Sequence, residues 1–345
     1  MPISVSVTQT LPLVARKLPW RWARPFAAAS LVGRFGAALD KADPQRTIAY
    51  FWPDPPKALV ERAKSRGVQA VREMTNCTRA AAKVILDGAY QTLGIAPDHG
   101  ISEESCELER RELAAYDAIF ASPQVAPTLR AVGVAEERIL ATSYGWSPTR
   151  FSVSEPAPRA ECFTALFVGT VCVGKGVPWL LEAWRKSGVE GELILAGAVR
   201  KEMRPWIAAC RDNKSIRLLG YVADLGALYR RAHCFVFPSL VEGGPQVAYE
   251  AAGCGLPIIT TPMGAGAIVK DGVNGIIVPP IDSDALAAAI AKLGASGELR
   301  EQLGERARSD ASRFTYEVIG RERAKTLVSL LETQGSPRDQ AAEGT

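Results

Sequence analysis

The sequence is poor in the residues that usually announce metal, redox or disulfide chemistry. It holds only two histidines, His99 and His233, and its seven cysteines form no C-x-x-C pair. That argues against a clustered metal site. An odd, scattered set of cysteines reads as reduced thiols of a cytosol and not as a disulfide framework. Long apolar runs are also missing. The longest charge-free stretch, Ala251 to Val269, carries Pro257, Pro262 and four glycines, so it is no continuous membrane helix. The N-terminus shows no basic start followed by a long apolar run, and no signal peptide is expected. Asn76-Cys77-Thr78 and Asn213-Lys214-Ser215 match the glycosylation sequon, which without a secretory signal reads as chance. An excess of one charge is lacking too. Forty-one basic and 37 acidic residues leave a formal charge of +4, too thin an imbalance to expect a nucleic-acid partner.

What is present is ordinary globular material, with 47% hydrophobic and 23% charged residues over 345 positions. At roughly 150 residues per domain this suggests about two domains. Residues 1–39 hold five basic residues and no acidic one. Within them, Arg16 to Phe26 (RKLPWRWARPF) mixes cations with aromatics, which suits peripheral contact with anionic lipid headgroups. The same stretch would equally serve as a Pro-interrupted segment packed on its own domain.

From Thr47 onward the pattern alternates strand and helix. Thr47 to Trp52 is a β-prone run ended by Pro53. Pro55 to Arg66 reads as a helix capped by Asp54, with Gly67 past its end. Strands follow at Val68 to Val71, Ala118 to Ala121 and Ile139 to Thr142. Helices fall at Ala80 to Tyr90, Glu103 to Ala114 and Pro123 to Val132. Ser152 to Glu161 (SVSEPAPRAE) is a polar, Pro-rich linker. Beyond it, strands are expected at Thr164 to Val168, Leu193 to Ala196, Ile216 to Leu219, Cys234 to Pro238, Pro257 to Thr260 and Gly275 to Val278. The chain closes with an amphipathic helix, Tyr316 to Glu332, and a polar tail. Such alternation implies mainly parallel sheets with covering helices, and ligands at the carboxyl ends of the strands.

Two segments carry chemistry. In Phe167 to Gly176 (FVGTVCVGKG) a strand runs into a glycine-rich turn and then a helix. Glycines admit backbone N–H groups to a phosphate, and the helix N-terminus and Lys175 add positive charge. The spacing approaches a Walker A loop, but Gly176 stands where a hydroxyl would hold Mg²⁺, and no partner strand ends in aspartate. In Pro238 to Ala251 (PSLVEGGPQVAYEA), Glu242 and Glu250 lie eight residues apart around a Gly-Gly-Pro turn. Ionised carboxylates only accept hydrogen bonds, which suits the paired hydroxyls of ribose or a hexose. Asp282-Ser283-Asp284 imitates a metal-binding D-x-D, yet it precedes Ala285 to Ile290, and helix capping explains it.

Residues 160 to 335 resemble the donor domain of the family-4 glycosyltransferases, the large retaining group with the GT-B fold. The E-x7-E of that family is matched by Glu242 to Glu250, and its V-G-x5-K-G by Val168 to Gly176. Leu219-Gly220-Tyr221-Val222, Asp271 to Pro280 (DGVNGIIVPP) and the closing helix fit in the same order. Ser143 to Phe151 (SYGWSPTRF) resembles the family's interdomain junction.

The resemblance implies an α/β protein of GT-B fold, two Rossmann-like domains facing across a cleft. Residues 1–153 would form a short acceptor-side domain and 160–315 the nucleotide-sugar donor domain. Residues 316–332 would be a return helix, and 333–345 a disordered tail. It implies that Lys175 meets the donor diphosphate, that Glu250 accepts the ribose hydroxyls and that Glu242 holds a hydroxyl of the donor sugar. Gly169, Thr170, Gly243, Gly244, Pro245 and Gln246 would line the sugar and phosphate, with Val222 near the base. The leaving phosphate would deprotonate the acceptor on the same face. No metal and no cofactor are implied; the nucleotide-diphosphate sugar is a co-substrate. The implied acceptor is a glycan or a lipid-linked sugar, in surface polysaccharide or glycolipid synthesis at the cytoplasmic face of a membrane.

Three departures from the family pattern stand out. Thr170 occupies a position where the family usually has arginine, and Arg72 or Arg79 of the facing domain is the expected substitute. Neither histidine suits the family's acceptor-side histidine, so Glu73, Thr75 and Asn76 at a strand end are expected to line the acceptor cleft. Nothing in Met1 to Asp40 resembles the usual first strand and glycine-rich loop. These departures keep open a non-catalytic relative acting as a binding or scaffold subunit. A GT-B epimerase acting on nucleotide sugars is a further alternative, against which the sequence shows no histidine or carboxylate cluster for proton abstraction.

Overall fold

The computed structural model describes residues 20–151 and 160–335, with side chains described over 29–151 and 160–333. The basic-aromatic stretch 16–26, most of the linker 152–161 and most of the tail 333–345 therefore fall outside the described residues or side chains.

The chain begins with α1 (Trp20–Asp40). Next come β1 (Ile48–Phe51), α2 (Lys57–Ser65), β2 (Gln69–Glu73), α3 (Arg79–Thr92) and α4 (Glu103–Ala114). The first half ends with β3 (Ala118–Ala121), α5 (Ala126–Ala131), β4 (Ile139–Ala141) and α6 (Pro148–Phe151). The four strands form one parallel sheet in the order β1-β2-β3-β4. Beyond the linker lie β5 (Phe163–Val168), α7 (Val177–Ser187), β6 (Gly191–Ala196), α8 (Arg204–Ala209), β7 (Ile216–Gly220), α9 (Leu225–Arg231), β8 (Cys234–Phe237) and α10 (Gln246–Gly253). The chain continues through β9 (Ile258–Thr260), β10 (Gly275–Ile277), α11 (Ser283–Ala295), α12 (Gly297–Ala311) and α13 (Tyr316–Gly335). Their sheet is parallel, in the order β10-β9-β8-β5-β6-β7. Both halves are thus α/β units of Rossmann type.

The central strands are β5 (FTALFV) and β8 (CFVF), and nearly all their residues are buried. A strand covered by helices on both faces has no polar side to show, so it reads as a continuous apolar run. Helix starts follow local chemistry. Thr78 caps α3 by accepting from Ala81 N–H at 3.4 Å, and Ser102 and Ser105 cap α4 reciprocally. Asp282 caps α11 by accepting from the Asp284 and Ala285 amides. The cap expected at Asp54 is not formed. After Pro55-Pro56 the helix starts at Lys57, while Asp54 adopts a positive φ and turns its carboxylate to Arg79.

Two of the places where the halves are joined position the site. Trp146, buried, pairs its backbone with Phe314 and Tyr316 and donates its indole N–H to Ala311 C=O at 2.8 Å. A Cβ at Gly145 would come within 2.9 Å of Phe314 O and 3.1 Å of the Tyr316 ring, so the close approach there favours glycine. From this crossing α13 runs back over the first sheet, where Leu327 and Leu330 pack on Val71, Ala118 and Phe120. The second place is α3, whose Ala82, Leu86, Ala89 and Tyr90 join the core of the larger half. Among the described residues, no helix is long and apolar enough to cross a membrane.

Candidate functional site

The site lies at the carboxyl ends of β5 and β8, where two loops meet. The first is the glycine-rich turn after β5. Gly176 takes φ +69° at the start of α7, and a Cβ there would run into the Pro238 carbonyl. Only glycine meets both conditions. Leu240 N–H donates to Gly174 C=O at 2.9 Å, fastening this turn to the second loop. Lys175 Nζ then sits beside the Glu242 carboxylate, 3.4 Å from Val241 C=O and over the Phe237 ring. Ser239 Oγ donates to the same Glu242 oxygen at 2.9 Å. The sequence-distant Lys175 and Glu242 therefore form one partly buried ion pair at the N-terminus of α7.

The second carboxylate faces a different environment. Glu250 lies on α10 and is 4% exposed. Its Oε2 accepts from Tyr229 O–H at 3.0 Å and its Oε1 from the Gln246 amide at 3.2 Å. Burial raises its pKa above the usual glutamate value, opposed by those two hydrogen bonds and by the charge of Arg150. A carboxylate has about four acceptor positions, so one remains on each oxygen.

Across the interface the first half presses directly on this loop. Cys77 N–H donates to Glu242 C=O at 3.0 Å. Gly243 abuts the backbone of Thr75 and Asn76 so closely that a Cβ would overlap it, and Gly244 abuts the Tyr144 ring in the same way. Thr75 and Asn76, expected on the acceptor side, thus lie against the E-x7-E turn. Tyr144 was not singled out by the sequence, although it stands inside the junction motif. Its hydroxyl donates to Met74 C=O at 3.4 Å and its ring lies under the Arg323 guanidinium.

Glu73 does not join them. It is fully buried, accepts from Tyr50 O–H, and pairs with Arg323 of α13 at 2.9 Å. It is a tie between β2 and the return helix, with no surface left for an acceptor. The two arginines expected to replace the one missing at Thr170 are also engaged elsewhere. Arg72 is buried between Glu112 and the face of Tyr116, and Arg79 pairs with Asp54 and Glu109. Thr170 itself is exposed, and Val222 is half-buried beyond β7. Pro245 precedes α10 as its N-cap residue. His99 pairs with Asp87 at 2.8 Å, and His233 accepts from Thr164 N–H at 3.1 Å. No group of three potential metal ligands occurs among the described residues.

Residues 162–296 match the family model described as glycosyl transferases group 1. An uncharacterized glycosyltransferase of Methanocaldococcus jannaschii is 33% identical over 156 residues, 44% of each chain. The capsular polysaccharide biosynthesis glycosyltransferase CapM of Staphylococcus aureus is 29% identical over 168 residues, 46% of this chain and 44% of CapM. The chain thus spans less than half the length of these curated relatives. Among solved structures, Anabaena HepE in complex with UDP and glucose superposes with a TM-score of 0.67 at 18% identity, covering 87% of this chain and 82% of that one. The protein has the GT-B fold.

Proposed function

We propose that this protein is a retaining glycosyltransferase. It moves a sugar from a nucleotide-diphosphate sugar to a glycan or lipid-linked acceptor, in surface polysaccharide or glycolipid synthesis. The observation that carries the reading is the Lys175–Glu242 pair at the carboxyl ends of the central strands, on a loop that leads into Glu250 of α10 and is pressed against the facing domain. The relatives support it: CapM is named for capsular polysaccharide, and HepE was solved with UDP and glucose.

The chemistry follows from the groups present. Transfer builds positive charge on the sugar ring and negative charge on the departing diphosphate. Lys175 and the N-terminus of α7 offset the latter through fixed positive charge. Glu250 receives the ribose hydroxyls on its two open acceptor positions. Glu242, already fixed by Lys175 and Ser239, receives a hydroxyl of the donor sugar. The reaction needs no added metal on this reading, and the leaving phosphate takes the acceptor proton. Thr75 and Asn76 stand on the acceptor side. Docking at the inner face of a membrane through residues 16–26 is part of the same proposal.

A test is the release of nucleoside diphosphate from UDP-, GDP-, ADP- and dTDP-sugars in EDTA, with oligosaccharide and polyprenyl-phosphate sugar acceptors. Acceptor-dependent release with an unchanged anomeric configuration supports the proposal, and inversion contradicts its retaining step. The missing arginine at Thr170, with Arg72 and Arg79 engaged elsewhere, favours the second reading, a binding subunit without turnover. Nucleotide binding without release from any donor would select it.

A further inference from the structure

The ribose site is not completed within the donor domain. Both hydrogens of the Gln246 side-chain amide have partners. One goes to Glu250 Oε1 at 3.2 Å and the other to the Tyr316 hydroxyl. A glutamine amide with both hydrogens committed cannot flip or swing without losing a bond. Tyr316 is the first residue of α13 and is 48% exposed, so its packing contributes little that a phenylalanine would not. Its backbone is pinned at the interdomain crossing, where Tyr316 N–H donates to Trp146 C=O at 3.0 Å. Behind Glu250 the other oxygen is held by Tyr229, which is wholly buried. The carboxylate is thus oriented from two sides, one inside the donor domain and one from the return helix.

We propose that Tyr316 is a positioning residue for ribose recognition. Its hydroxyl fixes the Gln246 amide, which turns Glu250 so that its two open acceptor positions face the 2′- and 3′-hydroxyls of a nucleoside diphosphate. The inference rests on the donor-site reading above and extends it to a residue outside the donor domain. It also makes ribose recognition depend on how the return helix sits at the crossing.

The experiment compares UDP, GDP and ADP with their 2′-deoxy counterparts by calorimetry on the full chain. The nucleotide that binds wild type should do so about 10-fold more tightly as the ribonucleotide, as expected for one lost hydrogen bond to a charged acceptor. In Tyr316→Phe that preference should fall to about 3-fold or less, with the deoxynucleotide bound as in wild type and Tm unchanged. Gln246→Leu should lose the preference in the same way. A preference that survives in Tyr316→Phe, or ribo- and deoxynucleotide affinities that fall together, would overturn the proposal. If wild type binds none of the six nucleotides, the donor-site reading fails, and this inference with it.

Discussion

Replacing Glu250 by glutamine should separate function from stability. The carboxylate is buried and its pKa is raised, first by burial. An acid whose folded pKa lies above its unfolded value binds more protons folded than unfolded. Its contribution is most favourable below the unfolded pKa and is lost as pH rises through the folded one. At neutral pH the ionised group therefore costs stability, and the amide removes that cost. The neighbours accommodate the change. Gln246 can still donate to the amide oxygen, and Tyr229 can accept from the new NH₂ while turning its own hydrogen to Val247 C=O at 3.5 Å. Donor binding should suffer, because one of the two hydroxyl acceptors becomes a donor and the charge is gone. A hydrogen bond to a charged group contributes about 1.5–3 kcal/mol, or roughly 10- to 150-fold in affinity. Calorimetry with the preferred nucleoside diphosphate and a thermal melt, both at pH 7.5, read the two quantities. A Tm lowered by several degrees with unchanged affinity would refute the reasoning, since Glu250 would then be a structural buried acid only.

Lys175→Ala should lower turnover on the order of 10²–10³-fold, as for loss of one charge-stabilising group, and steady-state kinetics with the preferred donor would show it. Gly176→Ala should destabilise by more than the ~1–2 kcal/mol of the left-handed conformation alone, because the Pro238 carbonyl blocks the new Cβ; urea unfolding measures this. Arg323→Met leaves Glu73 buried without its cation and should cost about 3–5 kcal/mol. Adding Glu73→Gln should recover much of that loss in a double-mutant cycle of melting curves.

Much of the fold was legible because its signals are local. The bounds of α4 and β3 coincide with those read from the sequence, since a serine cap and a fully apolar run each announce themselves within a few residues. β5 and β8 were found to within a residue for the same reason. The helix Trp20–Asp40 was not foreseen, because Pro25 and the scattered cations break the amphipathic pattern that marks a surface helix. The α5 helix is shorter than read, because Pro123 to Val125 form a turn. In the site, Lys175, Glu242 and Glu250 were legible from spacing and type. Their surroundings were not, because the contacts that define them join distant positions. Glu73 and Arg323 are 250 residues apart, and nothing near Glu73 signals that its charge is neutralised by the return helix. Tyr144 and Tyr316 likewise gain their places only when the two halves come together.

The central claim is that the loops around Lys175, Glu242 and Glu250 bind a nucleoside diphosphate through fixed charge. The most direct measurement is a thermal-shift panel of UDP, GDP, ADP, dTDP and CMP, each with and without EDTA, on wild type and on Lys175→Ala. At 100 times its dissociation constant a ligand adds about 2.7 kcal/mol, or roughly 5–10 °C at this domain size. The account predicts such a rise with one nucleoside diphosphate, unchanged by EDTA and lost in Lys175→Ala. No rise with any of the five, or a rise that survives in Lys175→Ala, would contradict it.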